Sequence, residues 1–299
     1  MFTHHLTSAA MSLKIGFLFF TLIVGIFGDD DLSIFFDHTD TKPHRMGRLF
    51  GGEITDSAPY MVALTIGADV QQLICGASIA TTRYVLTAAH CIDYVIQKGK
   101  PIDSLRGRVD SIRYASGGTT YSFSEAIKHP NYTKATVKND IGFLVTTSDI
   151  VLSDTVSPVS LTFKYIDAGV HATVLGWGLY KNGNTMSEDL LKLETDVVDG
   201  EVCVERVANL AKLVERKTVN KRKGKIPHVD PTLEICAFAM ERTGTCGGDS
   251  GGPLMERGTN EQIGIVSWGI PCALYVPDMY TRLSAFGDWI NEVINKSPE

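Results

Sequence analysis

Short apolar or alternating runs recur along most of the chain and are separated by turn-forming residues. Runs of this length and spacing predict an all-β sandwich or barrel. The clearest runs are Tyr60 to Ile66, Tyr84 to Ala88, Ile141 to Val145, His171 to Leu175 and Ile263 to Trp268. The last stretch, Ser284 to Asn295, places its apolar residues on one face of a helix and predicts a C-terminal α-helix.

The first residues contain a single longer apolar run instead of short alternating ones. Lys14 is followed by an almost wholly apolar run from Ile15 to Phe27, and then by Gly28 and three aspartates. A basic residue, a short apolar core and a small final residue are typical of a secretory signal peptide, predicted here as residues 1–28. A membrane anchor is the alternative, although the run is short for a bilayer span. Met11 is an alternative start of translation.

Composition and charge narrow the function classes. The 299 residues suffice for one large all-β domain or two small ones. A net charge of −6 argues against a dedicated nucleic-acid binder, which would usually be basic. The six cysteines are spaced singly, which favours disulfides over zinc or free thiols. We expect no metal and no cofactor, because no residues have metal-ligand spacing.

One internal segment, from Ala208 to Pro231, begins with a helical pattern and becomes strongly basic between Arg216 and Lys225. Three interpretations remain open for this segment. It is a solvated surface loop, an exosite for an acidic partner, or a site where trypsin-like enzymes nick the chain.

Three short motifs carry the candidate chemistry. Ser250 lies in Gly-Asp-Ser-Gly-Gly-Pro, where glycines allow a turn that exposes the hydroxyl beside backbone N–H groups. A serine needs a base with a pKa near neutrality, and His90 lies upstream in Thr-Ala-Ala-His-Cys. The base needs a buried carboxylate, and Asp140 lies between them in Asn-Asp-Ile. A single histidine or aspartate is weak evidence, but the three motifs in this order are specific.

These motifs resemble the chymotrypsin/trypsin family of serine peptidases over about residues 49–296. The resemblance implies two packed six-stranded antiparallel β-barrels with a C-terminal α-helix. It also implies that His90 is the general base, Asp140 the orienting carboxylate and Ser250 the nucleophile, with an oxyanion hole formed by the N–H groups of Gly248 and Ser250. An α/β-hydrolase esterase shares the Gly-x-Ser-x-Gly string, but its triad runs Ser, Asp, His, which disfavours that alternative.

The resemblance also implies the disulfides and the activation step. Six cysteines alone allow many pairings. The family pattern chooses Cys75–Cys91, Cys203–Cys236 and Cys246–Cys272.

The same resemblance makes residues 29–48 an activation propeptide and 49–299 the peptidase domain. Cleavage between Arg48 and Leu49 would create an α-ammonium group at Leu49. Buried Asp249 would be its partner, because a buried charge needs one. A surface role for Arg48 is the alternative.

The substrate pocket departs from that of trypsin. The residue that matches the pocket floor is Gly244, followed by Thr245, where trypsin has aspartate, while Asp278 occupies an adjoining wall. This combination resembles crab collagenase-like and insect chymotrypsin-like members, and it implies a broad or chymotrypsin-like preference that also accepts basic side chains. Trypsin-like selectivity through Asp278, or an Asp278 that turns to solvent, are the alternatives. The wall beside the substrate backbone is matched by Ser267, Trp268 and Gly269.

The remaining expectations concern modification and partners. Asn131 and Asn295 head glycosylation sequons, with unmodified turns as the alternative. Calcium is not expected, because residues 107–120 contain no glutamate. We expect a secreted, extracellular monomer whose partners are polypeptide substrates, an activating trypsin-like protease and protein inhibitors, with no nucleic acid and no membrane after signal removal. A non-catalytic homologue that acts as a binding protein is the rival interpretation.

Overall fold

The computed structural model describes residues 52–67, 70–180, 185–217, 226–240, 243–270 and 276–296. The chain divides into two compact units. The first comprises Met46–Leu210 and Pro227–Glu299 and contains every element discussed below except the end of one helix. The second comprises Met1–Arg45 and Ala211–Ile226. The signal peptide and propeptide predicted at 1–28 and 29–48 lie outside the described residues, as do Arg48 and Leu49.

The described residues form strands and helices that we number in chain order. The strands of the first half are β1 (Glu53–Ile54), β2 (Met61–Ile66), β3 (Gln72–Ile79), β4 (Tyr84–Thr87), β5 (Ile96–Gln97), β6 (Lys100–Pro101), β7 (Arg106–Val109), β8 (Thr119–Tyr121), β9 (Phe123–Lys128) and β10 (Gly142–Thr146). Those of the second half are β11 (Ser160–Leu161), β12 (His171–Gly176), β13 (Leu179–Tyr180), β14 (Thr185–Met186), β15 (Leu191–Val198), β16 (Glu234–Phe238), β17 (Pro253–Glu256), β18 (Glu261–Trp268) and β19 (Asp278–Arg282). The helices are α1 (Ala89–Val95), α2 (Gly200–Lys217) and α3 (Gly287–Ile294), with a 3₁₀ turn at Leu283–Ala285.

The first barrel is a sheet that curves until its two edges meet. Its strands follow the antiparallel order β8-β7-β2-β3-β4-β10-β9. The outer strands β8 and β9 are separated in the chain by Ser122 alone, so they act as two halves of one bent strand and leave six strands around the barrel. Its interior is filled by apolar side chains with at most 1% exposure, such as Leu64, Leu86 and Phe143.

The second barrel closes through hydrogen bonds. Its ring runs β15-β12-β17-β18-β19-β16 and returns to β15 through the β15–β16 pairing. Full closure removes the exposed strand edges that an open sheet would leave. The short strands β1 and β11 attach outside the ring, to β15 and β18. The predicted all-β architecture of two six-stranded barrels is therefore confirmed.

Helix α3 covers the first barrel at the end of the chain. Ile290 and Val293 are buried and belong to the same apolar core as Phe143. The Tyr84 hydroxyl donates to Lys296 O at 2.6 Å and fixes the helix end to β4. The predicted C-terminal helix is confirmed, although its first residues form the 3₁₀ turn. None of the helices among the described residues has the length and apolarity that crossing a bilayer requires.

Two of the three predicted disulfides are confirmed. Cys75 bonds to Cys91 and Cys203 bonds to Cys236. Cys246 is also disulfide-bonded, and its predicted partner Cys272 lies outside the described residues. The first bridge ties β3 to α1, immediately after His90.

Candidate active site

The pairing of β4 with β10 brings His90 and Asp140 to the same edge of the first barrel. Thr87, the last residue of β4, lies opposite Gly142, the first residue of β10. Because the strands are antiparallel, the segment leaving β4 and the segment entering β10 meet at that edge. His90 follows β4 in the first turn of α1, and Asp140 precedes β10 by two residues.

The two side chains form a charge-assisted hydrogen bond. His90 Nδ1 lies 2.7 Å from Asp140 Oδ2, and the His90 backbone N–H donates to Oδ1 at 2.8 Å. The Asp140 side chain is 1% exposed, whereas that of His90 is 17% exposed. Burial alone would lower the pKa of His90, but the charge and the hydrogen bond of Asp140 outweigh it and raise this pKa above its usual value. The carboxylate therefore fixes the ring and favours the imidazolium form.

The second barrel holds Asp140 from the other side. Ser267 Oγ on β18 donates to Asp140 Oδ2 at 2.6 Å, and Thr281 Oγ1 on β19 donates to the backbone O of Asp140 at 2.7 Å. Both hydroxyls are buried. The aspartate is thus fastened to both barrels at once, which keeps its orientation tied to their relative position.

Ser250 lies in the turn that enters β17. The N–H of Gly251 donates to Val266 O at 2.8 Å, and the N–H of Val266 donates to Gly252 O at 2.9 Å. These bonds extend the β17–β18 ladder up to the residue before Ser267. The serine turn and the hydroxyl that holds Asp140 are therefore neighbours on the second barrel.

The serine segment also lies against the start of α1. The N–H of Gly76 donates to Ser250 O at 2.8 Å. A Cβ atom added at Gly251 would lie 3.1 Å from the Sγ of Cys91, the residue after His90. The backbone of the predicted nucleophile is therefore held beside the helix that carries the predicted base.

The structure joins two of the three predicted triad side chains directly. Among the described residues, His90 Nε2 contacts Cys91 Sγ at 3.6 Å, and no hydrogen bond joins it to Ser250 Oγ. Catalytic hydrogen bonds of this kind are often long or poorly aligned without substrate and tighten when it binds.

The predicted oxyanion donors lie on the same turn. Gly248 has φ +102°, a conformation that L side chains rarely adopt, and a Cβ there would lie 3.1 Å from the Cα of Gly178. Among the hydrogen bonds between described residues, neither the Gly248 N–H nor the Ser250 N–H has an acceptor. The assignment of these two amides to an oxyanion hole therefore stays a prediction.

Asp249 is fully buried beneath this turn. Its Oδ1 accepts from Gly178 N at 2.8 Å and its Oδ2 accepts from Cys246 N at 3.0 Å. Burial raises the pKa of Asp249 to about 7, against the opposing effect of the two amides, and nearby Asp278 raises it further. No cation pairs with this carboxylate among the described residues, and its predicted partner Leu49 lies outside them.

Two of the predicted pocket residues, Thr245 and Gly269, lie against Asp278. Its Oδ2 accepts from Thr245 N at 2.7 Å, and the side chain is buried. A Cβ at Gly269 would lie 2.6 Å from Asp278 Oδ1, so a larger residue there would require the Asp278 carboxyl to move. Burial raises the pKa of Asp278 to about 7. The alternative in which Asp278 turns to solvent is therefore wrong, and Gly244, next to Thr245, is buried beside it.

Comparison with known proteins decides the family. The model of the trypsin family matches residues 51–290 of this chain. The chain belongs to the trypsin family. This membership agrees with the two-barrel fold and makes a serine peptidase the class of protein to which it is related.

Several curated relatives match this chain at similar identity. Chymotrypsin-2 of Vespa crabro is 34% identical over 237 residues, which cover 78% of this chain and 93% of that protein. Trypsin, alkaline A of Manduca sexta is 31% identical over 252 residues, covering 81% and 90%. Protein masquerade of Drosophila melanogaster is 30% identical over 258 residues, covering 84% of this chain but only 23% of that protein. These relatives include both a chymotrypsin and a trypsin, so they do not decide which substrate side chain is recognised.

Sequence reasoning missed some contacts of this trypsin-family site. Ser267 was assigned to substrate binding alone, yet its hydroxyl holds Asp140. Thr281 carried no signal, because only the strand register brings it to Asp140. The predicted sequon residues Asn131 and Asn295 are both exposed, and of the basic segment at 208–231 residues 218–225 lie outside the described part.

The buried carboxylate of Asp278 predicts a pH-dependent stability in the uncleaved trypsin-family chain. Its pKa is near 3.8 when unfolded and about 7 when folded, so stability falls as the pH rises through this window, and the whole cost is present above pH 7. Asp278→Asn keeps an acceptor for Thr245 and removes the charge. We expect it to raise the free energy of unfolding by about 1–4 kcal/mol at alkaline pH.

Urea unfolding of the wild type and Asp278→Asn, carried out below pH 3.8 and above pH 7, measures this difference in stability. Well below the pKa of the unfolded carboxyl, 3.8, the variant and the wild type should agree, because Asp278 is then protonated in both states. Asp149→Asn, at a side chain 72% exposed, should show no such pH dependence. Equal stability of Asp278→Asn and the wild type at alkaline pH would contradict the prediction.

Proposed function

We propose that this protein is a secreted serine endopeptidase, made as a zymogen and activated by cleavage between Arg48 and Leu49. The observation that carries the proposal is the short bond between His90 and buried Asp140, next to the Ser250 turn. A neutral imidazole held by a carboxylate in this way is suited to accept a proton from a serine hydroxyl.

The reaction would proceed in two similar halves. Ser250 Oγ attacks the carbonyl carbon of the scissile peptide bond while its proton passes to His90 Nε2. The N–H groups of Gly248 and Ser250 stabilise the oxyanion that forms. The tetrahedral intermediate then expels the amine, which takes the proton from His90 and leaves an acyl group on Ser250. Water, deprotonated by His90, attacks this ester; the bond to Ser250 Oγ then breaks, Oγ takes the proton from His90, and the acid is released.

Activation would supply the cation that buried Asp249 lacks among the described residues. Burial disfavours its charged form, and the α-ammonium of Leu49 would favour it. The carboxylate bonds to Gly178 and Cys246, so its rearrangement would move the turn that carries Gly248. Oxyanion hole and pocket would thereby become competent only after cleavage.

We propose a broad or chymotrypsin-like preference with acceptance of basic side chains. Gly244 leaves the floor without a charge, so aromatic and aliphatic side chains can enter. Asp278 bonds to Thr245 at the pocket wall, where a cation can reach it off the pocket axis. Trypsin-like selectivity through Asp278 is the alternative, and a preference above about 10³-fold for Arg or Lys, equivalent to ~4 kcal/mol, would establish it.

Labelling with a fluorophosphonate probe tests the catalytic proposal. The secreted protein is cleaved after Arg48, and the probe should modify Ser250 in the cleaved chain but scarcely in the uncleaved one. The cleaved chain should also hydrolyse a positional-scanning peptide library. A correctly cleaved, folded chain that neither reacts with the probe nor cuts any peptide would instead indicate a non-catalytic homologue that acts as a binding protein.

Replacing Asp278 by asparagine tests the specificity proposal. We expect kcat/KM for Arg and Lys substrates to fall by about 10- to 100-fold, since a bond to a charged group contributes roughly 1.5–3 kcal/mol. Matched Phe and Leu substrates should change little. Because the carboxyl has a pKa of about 7, the wild type should favour Arg over Phe more strongly as the pH rises through this value. Unchanged Arg and Lys cleavage in the variant would exclude the role.

A further inference from the structure

An ion pair between a buried carboxylate and a partly buried ammonium group connects the two barrels beside the candidate active site. Glu234, the first residue of β16, is 3% exposed, and both of its carboxylate oxygens lie 2.8 Å from Lys138 Nζ. The indole N–H of Trp268 donates to Oε1 at 2.6 Å, and the Asp230 N–H donates to Oε2 at 2.7 Å. Lys138 Nζ also lies 5.1 Å from the centre of the Trp268 ring. This carboxylate is therefore fully engaged by groups from both barrels.

Lys138 belongs to the segment that leads directly into Asp140. The residues on either side of it, Val137 and Asn139, have φ values of 51° and 54°. Asparagine tolerates this left-handed conformation, but it is strained for the β-branched Val137 and persists there only where the surroundings enforce it. The Asn139 amide donates to Asn131 O at 2.9 Å, which holds the segment on the first barrel. The Glu234–Lys138 pair holds it on the second.

The strand register places Glu234 among the other groups that hold Asp140. Glu234 lies opposite Thr281 in the β16–β19 pairing, and the Thr281 hydroxyl donates to the backbone O of Asp140. Trp268, bonded to Glu234, follows Ser267, whose hydroxyl donates to the Asp140 carboxylate. Three adjacent strands of the second barrel, β16, β19 and β18, thus fasten one short segment of the first.

We propose that Glu234 is a positioning residue for the reaction, which acts through Lys138 to hold Asp140 in line with His90. This inference rests on the proposed function. Paired and hydrogen-bonded buried charges set a specific geometry, although a buried pair gives little net stability over apolar residues of the same size. Removing one partner leaves the other charge buried and unpaired, so the strained segment would relax and the Asp140 carboxylate would shift.

Two variants test the proposal. Glu234→Gln keeps an oxygen that can accept from the Trp268 indole but no longer neutralises Lys138. Lys138→Met removes the ion pair and leaves the hydrogen bond between Trp268 and Glu234 in place. In the cleaved enzyme we expect both to lower kcat by about 10- to 100-fold, because small misplacements of catalytic groups have effects of this size. KM for a small peptide substrate should change little. Lys138→Arg preserves a two-pronged pair and should retain kcat.

A second measurement does not depend on catalysis. The proton between His90 Nδ1 and Asp140 should give a strongly downfield proton resonance, read in the Ser250→Ala background. We expect Glu234→Gln and Lys138→Met to shift or lose this signal and Lys138→Arg to keep it. If the cleaved wild type is inert, the proposed function fails, whereas the resonance still reports on positioning.

A control separates positioning from general destabilisation. Ser78 Oγ donates to Gln262 Oε1 at 2.7 Å between the two barrels, and both residues are fully buried. Ser78→Ala should lower Tm while preserving kcat and the His90 resonance. The inference is overturned if Glu234→Gln and Lys138→Met retain the wild-type kcat and the His90 resonance. It is also overturned if Ser78→Ala, at an equal drop in Tm, loses kcat and the resonance to the same extent as those two variants.

Discussion

Replacing Ser250 by alanine in the protein cleaved after Arg48 is expected to lower kcat by about 10⁶-fold. The variant keeps the His90–Asp140 bond and the backbone donors of the turn, so it removes the nucleophile and little else. Its backbone contacts with Gly76 and β18 do not involve the side chain, and the fold should be preserved. A residual rate above that of water should remain, since oxyanion stabilisation and substrate positioning persist.

The measurement is steady-state hydrolysis of a peptide substrate, together with near-ultraviolet circular dichroism to verify the fold. Ser124→Ala, at an exposed serine in β9 of the first barrel, is the matched control and should retain full activity. If Ser250→Ala kept more than about a hundredth of the wild-type kcat, equivalent to a loss of less than ~3 kcal/mol, another group would have to be the nucleophile.

Asp249→Asn is expected to block activation without blocking cleavage. The side chain is buried and accepts from two backbone amides, and asparagine is nearly the same size, although its single oxygen can replace only one of the two acceptors. The cleaved variant would have to bury the Leu49 ammonium without a counter-charge, at a cost of about 3–5 kcal/mol. We therefore expect kcat/KM of the cleaved protein to fall by roughly 10²–10⁴-fold.

Electrophoresis should show that a trypsin-like enzyme still cuts the Asp249→Asn variant after Arg48. The exposed Asp196, paired with His171 at the surface, provides the control: Asp196→Asn should activate normally. Full activity of cleaved Asp249→Asn would show that this carboxylate does not receive the new N-terminus.

Much of the fold could be predicted because the longer strands each contain a recognisable apolar pattern. The runs at 60–66, 84–88 and 263–268 match β2, β4 and β18 within two residues, since their apolar residues face a barrel interior. The C-terminal helix was found from its periodic apolar face. Very short strands such as β5, β6 and β11 could not be predicted, because two residues show no periodicity. Helix α2 begins at Gly200, eight residues before the helical pattern that indicated it.

The parts of the candidate site that lie in short sequence motifs could be predicted. The motifs around His90, Asp140 and Ser250 are short and read directly from the chain. The link between Lys138 and Glu234 spans 96 residues and depends on strand register, which no local pattern encodes. Asp278 was located in the pocket, but whether its carboxyl faced Thr245 or water depended on packing that the sequence does not specify.

The Cys75–Cys91 disulfide makes the fold depend on the redox state of its surroundings. It joins the residue after His90 to the strand whose Gly76 amide supports Ser250. Glutathione in a cytosol keeps most thiols reduced, whereas extracellular fluids leave such bonds intact. Reduction of this one disulfide would loosen the segments that carry His90 and Ser250 together, so a molecule retained inside the cell would lose the alignment that the proposed peptide hydrolysis requires.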